Sequence, residues 1–424
     1  MSALEALIAT SEESSLMNSL DFSLPPASTA VTDRKNNLRA YPTSQSTLNP
    51  TGTRTCRIRL GGDNFCDTQS IRLSFQIHNL DVTNPLTPLC GAWGLWSQMF
   101  LRSNGREMDN VPWYGRFHTQ YGFNQKSRAE QFGQIGICGG YGSDIAGASS
   151  NQPAMGTIAA GASVTVMHEL LLSAFQSHKY WPTRYAPLEL EVSVNSIVSD
   201  WLSQAGGTSQ TFEINNVQLL YTDVTLDDAI QESFYKSLIS GRLLNIPTMS
   251  AYQVVYTVPA NSTNFQFSGV RAYSKLSHIW LTFKTSAAAK SSTFTCPTTV
   301  VGNAGAVPAL IDFGPTVRLS LGSKNWPDPM PASSISEHFY NFQQSISGVP
   351  NITRDNYLTN CFTMAFDLRH IPEDPSTSIS SRSGDLLRVD LQNLTSVNAT
   401  TEVWMVLFAY TVTSVRESGL ELLV

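Results

Sequence analysis

The side chains best suited to catalysis or metal binding are widely separated in this sequence. General acid–base catalysis needs a histidine or carboxylate beside its partner, and a zinc site needs histidines or cysteines at short, regular spacing. The seven histidines are spread along the chain: His78, His118, His168, His178, His278, His338 and His370. The sequence contains no GxSxG, HExxH or GxxxxGK(S/T) motif, and no GxGxxG that opens a helix after a strand. We therefore predict that the chain is not an enzyme and has no catalytic, cofactor-binding or metal-binding residues.

Two local features resemble ligand sites, but each has a simpler explanation. Residues 136–144, GICGGYGSD, have the glycine density of a phosphate cradle. No lysine follows them and no strand–helix pattern flanks them, so a flexible loop is the better interpretation. The adjacent acidic pairs are Glu12-Glu13, Asp227-Asp228 and Glu373-Asp374. None has the spacing of a calcium loop, and no residue indicates a cation shared between subunits.

Aromatic residues concentrate between residues 93 and 121, and they include Trp93, Trp96, Trp113 and Tyr114. Such side chains could stack on sugars or bases. Without interleaved Lys or Arg, packing in a core or in an interface is the better interpretation. The net charge is −6, and the sequence has no long basic run. Sequence-specific binding of nucleic acid is therefore not predicted.

The composition is low in charge for a chain of this size. Of 424 residues, 42% are hydrophobic and only 14% are charged, against about 25% charged in an ordinary soluble domain. Burial of surface against other subunits and an all-β chain rich in Ser, Thr and Asn both explain this balance. A chain of this length exceeds one hydrophobic core, so two domains are expected.

Neither a targeting signal nor a disulfide framework is predicted. The stretch MSALEALIATSEESS lacks a basic region and a long apolar core, and no window reaches 18 apolar residues. A secretory signal and a transmembrane segment are therefore not expected. The six cysteines are irregularly spaced: Cys56, Cys66, Cys90, Cys138, Cys296 and Cys361. Free thiols in a reducing compartment are expected.

From residue 53 onward, the hydrophobic pattern has a period of two, which is typical of half-buried antiparallel strands. In TRTCRIRL, the apolar Cys56, Ile58 and Leu60 alternate with Arg57 and Arg59. The Asn-Gly in SQMFLRSNGRE predicts a hairpin. Strands are expected at 53–60, 70–79, 97–107, 162–172, 187–195, 211–224, 251–258, 264–270, 277–286, 316–325, 360–369, 385–394 and 401–415. Two overlong loops rich in small residues are expected at 131–163 and 286–314.

Two further segments set the predicted domain boundaries. Residues 1–50 combine a loose helical stripe with a run rich in Pro, Ser and Thr, and they are expected to form a mobile arm or a disordered tail. Residues 225–241 form the clearest helix, capped by Thr225 or Asp227 and stopped at Gly241. The predicted domains are an N-terminal arm (1–50), a first β module (51–224), a connector helix (225–241) and a second β module (242–424).

The two halves of the chain repeat one plan. FLRSNGREMDNVP (100–112) matches RLSLGSKNWPDPMP (318–331), and each precedes a helical, aromatic segment. Further along, SVTVMHELLL matches CFTMAFDLRH, APLELEVSVN matches GDLLRVDLQN, and FEINNVQLLYTDV matches TEVWMVLFAYTVTSV. The conserved order favours internal duplication over two unrelated β-sandwiches. Jelly rolls protect the edges of such modules. The predicted fold is therefore all-β: two tandem antiparallel eight-stranded jelly rolls joined by a short connector helix.

Residues 241–284 carry a resemblance to a known family. The segment GRLLNIPTMSAYQVVYTVPANSTNFQFSGVRAYSKLSHIWLTFK resembles the start of the second module in double jelly-roll major capsid proteins, especially those of Polinton-like viruses and virophages in the broader adenovirus-type lineage. The features that carry it are GRLLNIP after a helix, the strand AYQVVYTV and the aromatic strand HIWLTFK. The two-module plan extends the resemblance from about residue 50 to 424. The chain is shorter than many members, so short outer loops are expected.

The resemblance implies a structural role. Such proteins form homotrimers whose six lobes make a pseudo-hexagonal capsomer, and these capsomers tile an icosahedral shell around double-stranded DNA. The implied partners are neighbouring capsomers, penton proteins and minor capsid proteins, and the implied location is the virion, assembled inside the host cell. The alternative from the residues is a tandem β-sandwich for adhesion or carbohydrate binding, with exposed aromatic platforms and independent modules. A third is a β-sandwich glycoside hydrolase, which needs two carboxylates aimed into a cleft.

Overall fold

The computed structural model describes residues 30–125, 136–139, 156–177, 179–269, 271–285, 313–328, 330–346, 357–358, 362–371, 374–382, 386–394, 401–416 and 419–423. The strands of the first half are β1 (Val31–Ala40), β2 (Thr55–Leu60), β3 (Phe65–Asn79), β4 (Trp96–Ser103), β5 (Arg106–Pro112), β6 (Ser163–Glu169), β7 (Tyr180–Pro182), β8 (Leu188–Val194) and β9 (Phe212–Leu226). Those of the second half are β10 (Leu244–Val258), β11 (Phe265–Ser268), β12 (Leu276–Thr285), β13 (Phe313–Leu321), β14 (Lys324–Trp326), β15 (Ala332–Ser334), β16 (Met364–Asp367), β17 (Leu387–Gln392), β18 (Thr401–Arg416) and β19 (Gly419–Leu423). The α-helices of the described residues are α1 (Tyr114–Gln125), α2 (Gly136–Gly139), α3 (Asp228–Ile239) and α4 (Ile335–Ser345).

Each half of the chain forms two antiparallel sheets with the same strand order. In the first half, the sheets run β1-β9-β3-β6 and β2-β8-β4-β5, with β7 added to β3. In the second half, they run β10-β18-β12-β16 and β11-β17-β13-β14, with β15 and β19 added at the side. When β7, β15 and β19 are left out and the remaining eight strands of each half are numbered in chain order, both halves follow the orders 1-8-3-6 and 2-7-4-5. This is the strand order of a jelly roll, so the predicted double jelly roll is confirmed. We call β1–β9 the first module and β10–β19 the second module.

Alternation and turn chemistry account for the individual strands. In β2, Cys56, Ile58 and Leu60 are buried while the intervening arginines are exposed, as the period of two predicts. The hairpin between β4 and β5 turns at Asn104 and Gly105, with φ of 49° and 77°. Both central residues of a type I′ turn need positive φ, which explains why Asn-Gly occupies this position. All four pairs of matched segments fall on corresponding strands of the two modules.

The core is one continuous apolar cluster that includes residues of both modules. A smaller cluster of Phe65, Val224 and Leu226 lies beneath α3 and receives the half-buried Ile230 and Phe234. The helix begins after Asp227, and Gly241 follows it with φ of 82°, the left-handed conformation that ends helices. Helix α3 thus joins β9 to β10 and packs on the first module.

The N-terminal boundary differs from the one expected. Residues 1–29 lie outside the described residues, but Val31–Ala40 forms β1 and pairs with β9. The arm expected over residues 1–50 therefore does not extend to residue 50. The sequence VTDRKNNLRA did not indicate a strand because its side chains are mostly polar and exposed. Its order comes from backbone bonding to β9 rather than from apolar burial. The overlong loops at 131–163 and 286–314 fall largely outside the described residues.

Candidate functional site

Helix α1 lies between the two modules, and its contacts define the site that we call the seam. Every residue from 114 to 120 is buried. On the side facing its own module, the imidazole of His118 stacks on Trp93 with ring centroids 4.4 Å apart. Gly115 approaches the neighbouring backbone so closely that an added Cβ would lie 2.7 Å from Gly94 Cα. A glycine is therefore required for the helix to sit this deep.

The opposite side of α1 packs on the second module through aromatic residues. Trp113 meets the edge of Trp404 at 5.0 Å between ring centroids, and Phe117 meets Phe408 at 6.1 Å. Tyr121 approaches Trp280 at 6.5 Å. These partners belong to the outer face of β12 and β18, the side turned away from the interior of the second jelly roll. Aromatic pairs of this kind add about 0.5–1.5 kcal/mol each beyond the area they bury.

A buried charge network continues the seam. The guanidinium of Arg116 lies 4.7 Å from the Trp404 ring centroid and donates a hydrogen bond from Nη2 to Thr282 Oγ1 at 3.1 Å. Burial lowers the pKa of Arg116 to about 9, an effect that Glu402 opposes. Lys284 Nζ lies 3.6 Å from Glu402 Oε2. Breaking such a network by removing one partner is costly because a charge is left buried and unpaired.

Asp109 provides a second polar link across the seam. Its Oδ2 accepts a hydrogen bond from Ser173 N at 2.8 Å, and its Oδ1 accepts one from Ser250 Oγ of the second module at 3.0 Å. Burial raises the pKa of Asp109 to about 6, although these hydrogen bonds oppose the shift. A half-open cavity of about 290 Å³ adjoins it, lined also by Met249 and His278. The seam therefore joins the modules through aromatic, charged and hydrogen-bonded contacts.

Two of the histidines considered for chemistry, His168 and His338, make buried structural hydrogen bonds. His168 Nδ1 donates to Glu169 O at 2.8 Å and its Nε2 accepts from Trp96 Nε1 at 3.1 Å, which satisfies a neutral imidazole. Burial and the nearby His118 lower the pKa of His168 to about 3. His338 Nε2 donates to Pro315 O at 2.6 Å. The fold brings His118 and His168 to 5.5 Å between ring centroids, a proximity that their sequence spacing did not indicate.

The other candidate residues lie in the core, at the start of a helix or outside the described residues of the chain. Trp93, Trp96 and Tyr114 are buried in the core, which is where the packing interpretation expects them. Asp227 and Asp228 stand at the start of α3, where carboxylates complement the helix dipole. The remaining residues lie outside the described ranges: His178, Glu12, Glu13, Glu373, Cys296, Cys361 and residues 140–144. Within the described ranges, no three His, Cys, Asp or Glu side chains group as metal ligands.

The described cysteines are free thiols: Cys56, Cys66, Cys90 and Cys138. Burial raises the pKa of Cys56 to about 12, so this thiol stays protonated and unreactive at neutral pH. No helix in the described part of the chain has the length and apolarity needed to span a bilayer.

The sequence contained a signal for the seam. In β18, TEVWMVLFAY is apolar on both faces, and its residues from 403 to 409 are all buried. In β9, FEINNVQLLY alternates apolar and polar residues. A strand that is apolar on both faces must be covered on both. The extra cover on β18 is α1 of the first module.

Comparison with known proteins links this fold to viral capsid structures. No protein-family model matches the sequence, and no curated protein matches it. PBCV-1 VP54, fitted into a cryo-EM reconstruction of the virophage Sputnik, has 10% identity and a TM-score of 0.63, with 95% of this chain and 98% of that chain covered. The Faustovirus major capsid protein has 10% identity and a TM-score of 0.59, with 93% and 92% covered. The mavirus major capsid protein has 8% identity and a TM-score of 0.51, with 95% and 92% covered. The chain therefore has the fold of these proteins over nearly its whole length.

Proposed function

We propose that this chain is the major capsid protein of a virus. Three copies form a pseudo-hexagonal capsomer, and capsomers tile an icosahedral shell around a double-stranded DNA genome. The protein acts in the virion, after assembly inside the host cell, and its role is structural rather than catalytic. The observation that carries this proposal is a pair of jelly rolls of identical strand order whose fold matches capsid structures over more than 90% of each chain.

The seam supports the geometric part of the proposal. Two like lobes held in a fixed relation act as one third of a six-lobed ring. Three kinds of contact hold the two lobes in that relation. They are the cation–π contact of Arg116, the hydrogen bond of Asp109 and the aromatic pairs of α1. Independent modules on a flexible linker would not tile a surface, because their relative orientation would vary. We propose the module limits as about 30–226 and 244–424, with α3 between them.

The remaining partners of the proposed capsomer follow from the same role. Neighbouring capsomers make the flat faces of a shell, and penton and minor capsid proteins supply its vertices and curvature. The net charge of −6 suits a protein whose main contacts are with other copies of itself rather than with a nucleic acid backbone. The adhesive alternative is less well supported, since the aromatic cluster at residues 93–121 packs inward or into the seam.

Electron microscopy of the purified protein tests this proposal. Expressed alone, the full chain should form particles with six lobes and threefold symmetry in negative stain, and co-expression with the vertex proteins of its virus should give closed shells. Two-lobed particles of a single chain would contradict the capsid role. A glycan array then distinguishes the adhesive alternative, which predicts binding of a defined sugar by the purified chain.

A further inference from the structure

The seam is a head-to-tail contact between two different surfaces. One surface is the helix α1 of the first module, and the other is the outer face of β12 and β18 in the second module. A contact of this kind leaves one surface of each module without a partner in the single chain. In the second module it is the helix that corresponds to α1, and in the first module it is the sheet face that corresponds to the outer face of β12 and β18. Repetition of the contact between chains closes a ring when the rotation permits it.

Helix α4 is the counterpart of α1, because each follows the hairpin of its module. Its inner side is occupied: Phe342 packs on Trp280 at 6.2 Å between ring centroids, and Ser345 Oγ accepts a hydrogen bond from Trp280 Nε1 at 3.1 Å. Its outward side differs from that of α1. Tyr340 is 61% exposed, and Glu337 and Gln344 are also exposed. In α1, the residues on both sides from 114 to 120 are buried.

The first module carries the counterpart of the covered sheet face. Strands β3 and β9 correspond to β12 and β18, and their outward positions include Gln76, His78 and Gln218. All three are half-buried in the single chain. Gln76 Oε1 accepts a hydrogen bond from Asn216 Nδ2 at 3.2 Å, and His78 Nδ1 lies 2.8 Å from Ser163 Oγ. The named positions on this face are therefore polar, and two of them are hydrogen-bonded to neighbouring strands.

We infer that the outward side of α4 docks on the outer face of β3 and β9 in a second copy of this chain, as α1 docks on β12 and β18 within one chain. The inference rests on the proposed function and names the surfaces through which its capsomer closes. The occupant is a second copy because the chain already contains the same contact between its two modules. Tyr340 suits the position, since a tyrosine buries an apolar ring and keeps a hydroxyl for polar neighbours.

Cysteine pairs test the contact directly. In a background with Cys138, Cys296 and Cys361 replaced by serine, Tyr340→Cys is combined in turn with Gln76→Cys, His78→Cys and Gln218→Cys. The matched control combines Tyr340→Cys with Tyr235→Cys, which replaces a tyrosine that is 43% exposed on α3. Each protein is oxidised and separated on a non-reducing gel, which shows the cross-linked species. Light scattering on the same protein gives the mass of the assembly.

The expected result is a ladder of monomer, dimer and trimer for at least one Gln76, His78 or Gln218 pair, and no ladder for the control or for Tyr340→Cys alone. Dimers from Tyr340→Cys alone would show that α4 meets α4 and would overturn the inference. A trimer in light scattering with no cross-link in any pair would overturn the inference and leave the proposed capsomer standing. A monomer in light scattering would overturn both.

Discussion

The two modules share one strand order, but the outer faces of their corresponding sheets are chemically different. In the second module, the face formed by β12 and β18 carries Trp280, Trp404 and Phe408, and all three are buried. Phe408 packs on α1, Trp404 on Trp113 just before α1, and Trp280 contacts both α1 and α4. In the first module, the same face on β3 and β9 carries Gln76 and Gln218, and both are half-buried. The two modules thus share a strand order but differ in the chemistry of this surface.

In the proposed capsomer, this difference separates an interface within one chain from an interface between chains. The aromatic residues of the seam, such as Trp404 and Phe408, are buried within the single chain. A face that awaits another chain must remain soluble beforehand, and polar residues such as Gln76 and His78 meet that need. The same distinction holds between obligate interfaces, which resemble a core, and interfaces between proteins that also exist apart.

Truncating the seam should have the largest effect on stability. Phe408→Ala removes a ring that is 3% exposed and packs on Phe117. We expect a loss of about 3–5 kcal/mol in the free energy of unfolding, the usual cost for a buried phenylalanine. The control Gln218→Ala lies on the counterpart face and should change stability by no more than about 0.5 kcal/mol. Chemical denaturation at one fixed protein concentration measures both, and equal effects would erase the contrast between the faces.

The Asp109 link should make the seam sensitive to pH. Burial raises the pKa of Asp109 from 3.8 to about 6 in the folded chain, so folding favours the protonated carboxyl. The stability that this gives is complete below about pH 4 and is lost as the pH rises through about 6. At about 1.4 kcal/mol per unit, the loss is on the order of 3 kcal/mol.

Asp109→Asn removes this titration and isolates its contribution. The free energy of unfolding of the unmodified chain minus that of the variant should fall by roughly 2–3 kcal/mol between pH 4 and pH 7. Urea denaturation at a series of pH values provides the measurement. A difference that stays constant over this range would mean that Asp109 binds protons equally in the folded and unfolded chain, and the argument for a raised pKa would fail.

Adding one methyl group at Gly115 tests how closely α1 packs against the neighbouring backbone. Gly115→Ala places a Cβ 2.7 Å from Gly94 Cα, so the helix or the neighbouring backbone must shift. We expect a destabilisation of about 1–3 kcal/mol, typical of overpacking. Gly206→Ala is the control, since an added Cβ there meets nothing within 4 Å. If the two variants have the same melting temperature, the backbone around Gly115 is packed less closely against Gly94 than described.

The connector helix should give the smallest effect, because its apolar side is only half-buried. Phe234→Asp removes a ring that lies 5.9 Å from Phe65 between centroids and places a charge beside Val224 and Leu226. We expect a loss of about 1–2 kcal/mol, less than for a fully buried site. Tyr235→Asp, at the exposed neighbouring residue, should leave the melting temperature nearly unchanged. Equal melting temperatures for the two variants would mean that the Phe234 side of α3 is exposed to solvent rather than packed on the first module.

Most of the fold followed from local patterns. The alternation in β2 and β3 and the Asn-Gly turn at Asn104 are short-range signals, and they predicted those strands correctly. Strand β1 was missed because its order depends on pairing with β9, almost two hundred residues later in the chain, and not on its own side chains. The seam was missed because it joins residues such as Arg116 and Trp404 that only the fold brings together.

The central claim is that three chains combine into one capsomer, and light scattering over a dilution series tests it most directly. The account predicts a mass of three times the chain mass of 46.5 kDa that persists at micromolar concentration. It also predicts a single melting transition for the two modules, since the seam couples them. A stable monomer at that concentration, with two separately melting modules, would contradict the capsomer and favour an adhesive protein with independent domains.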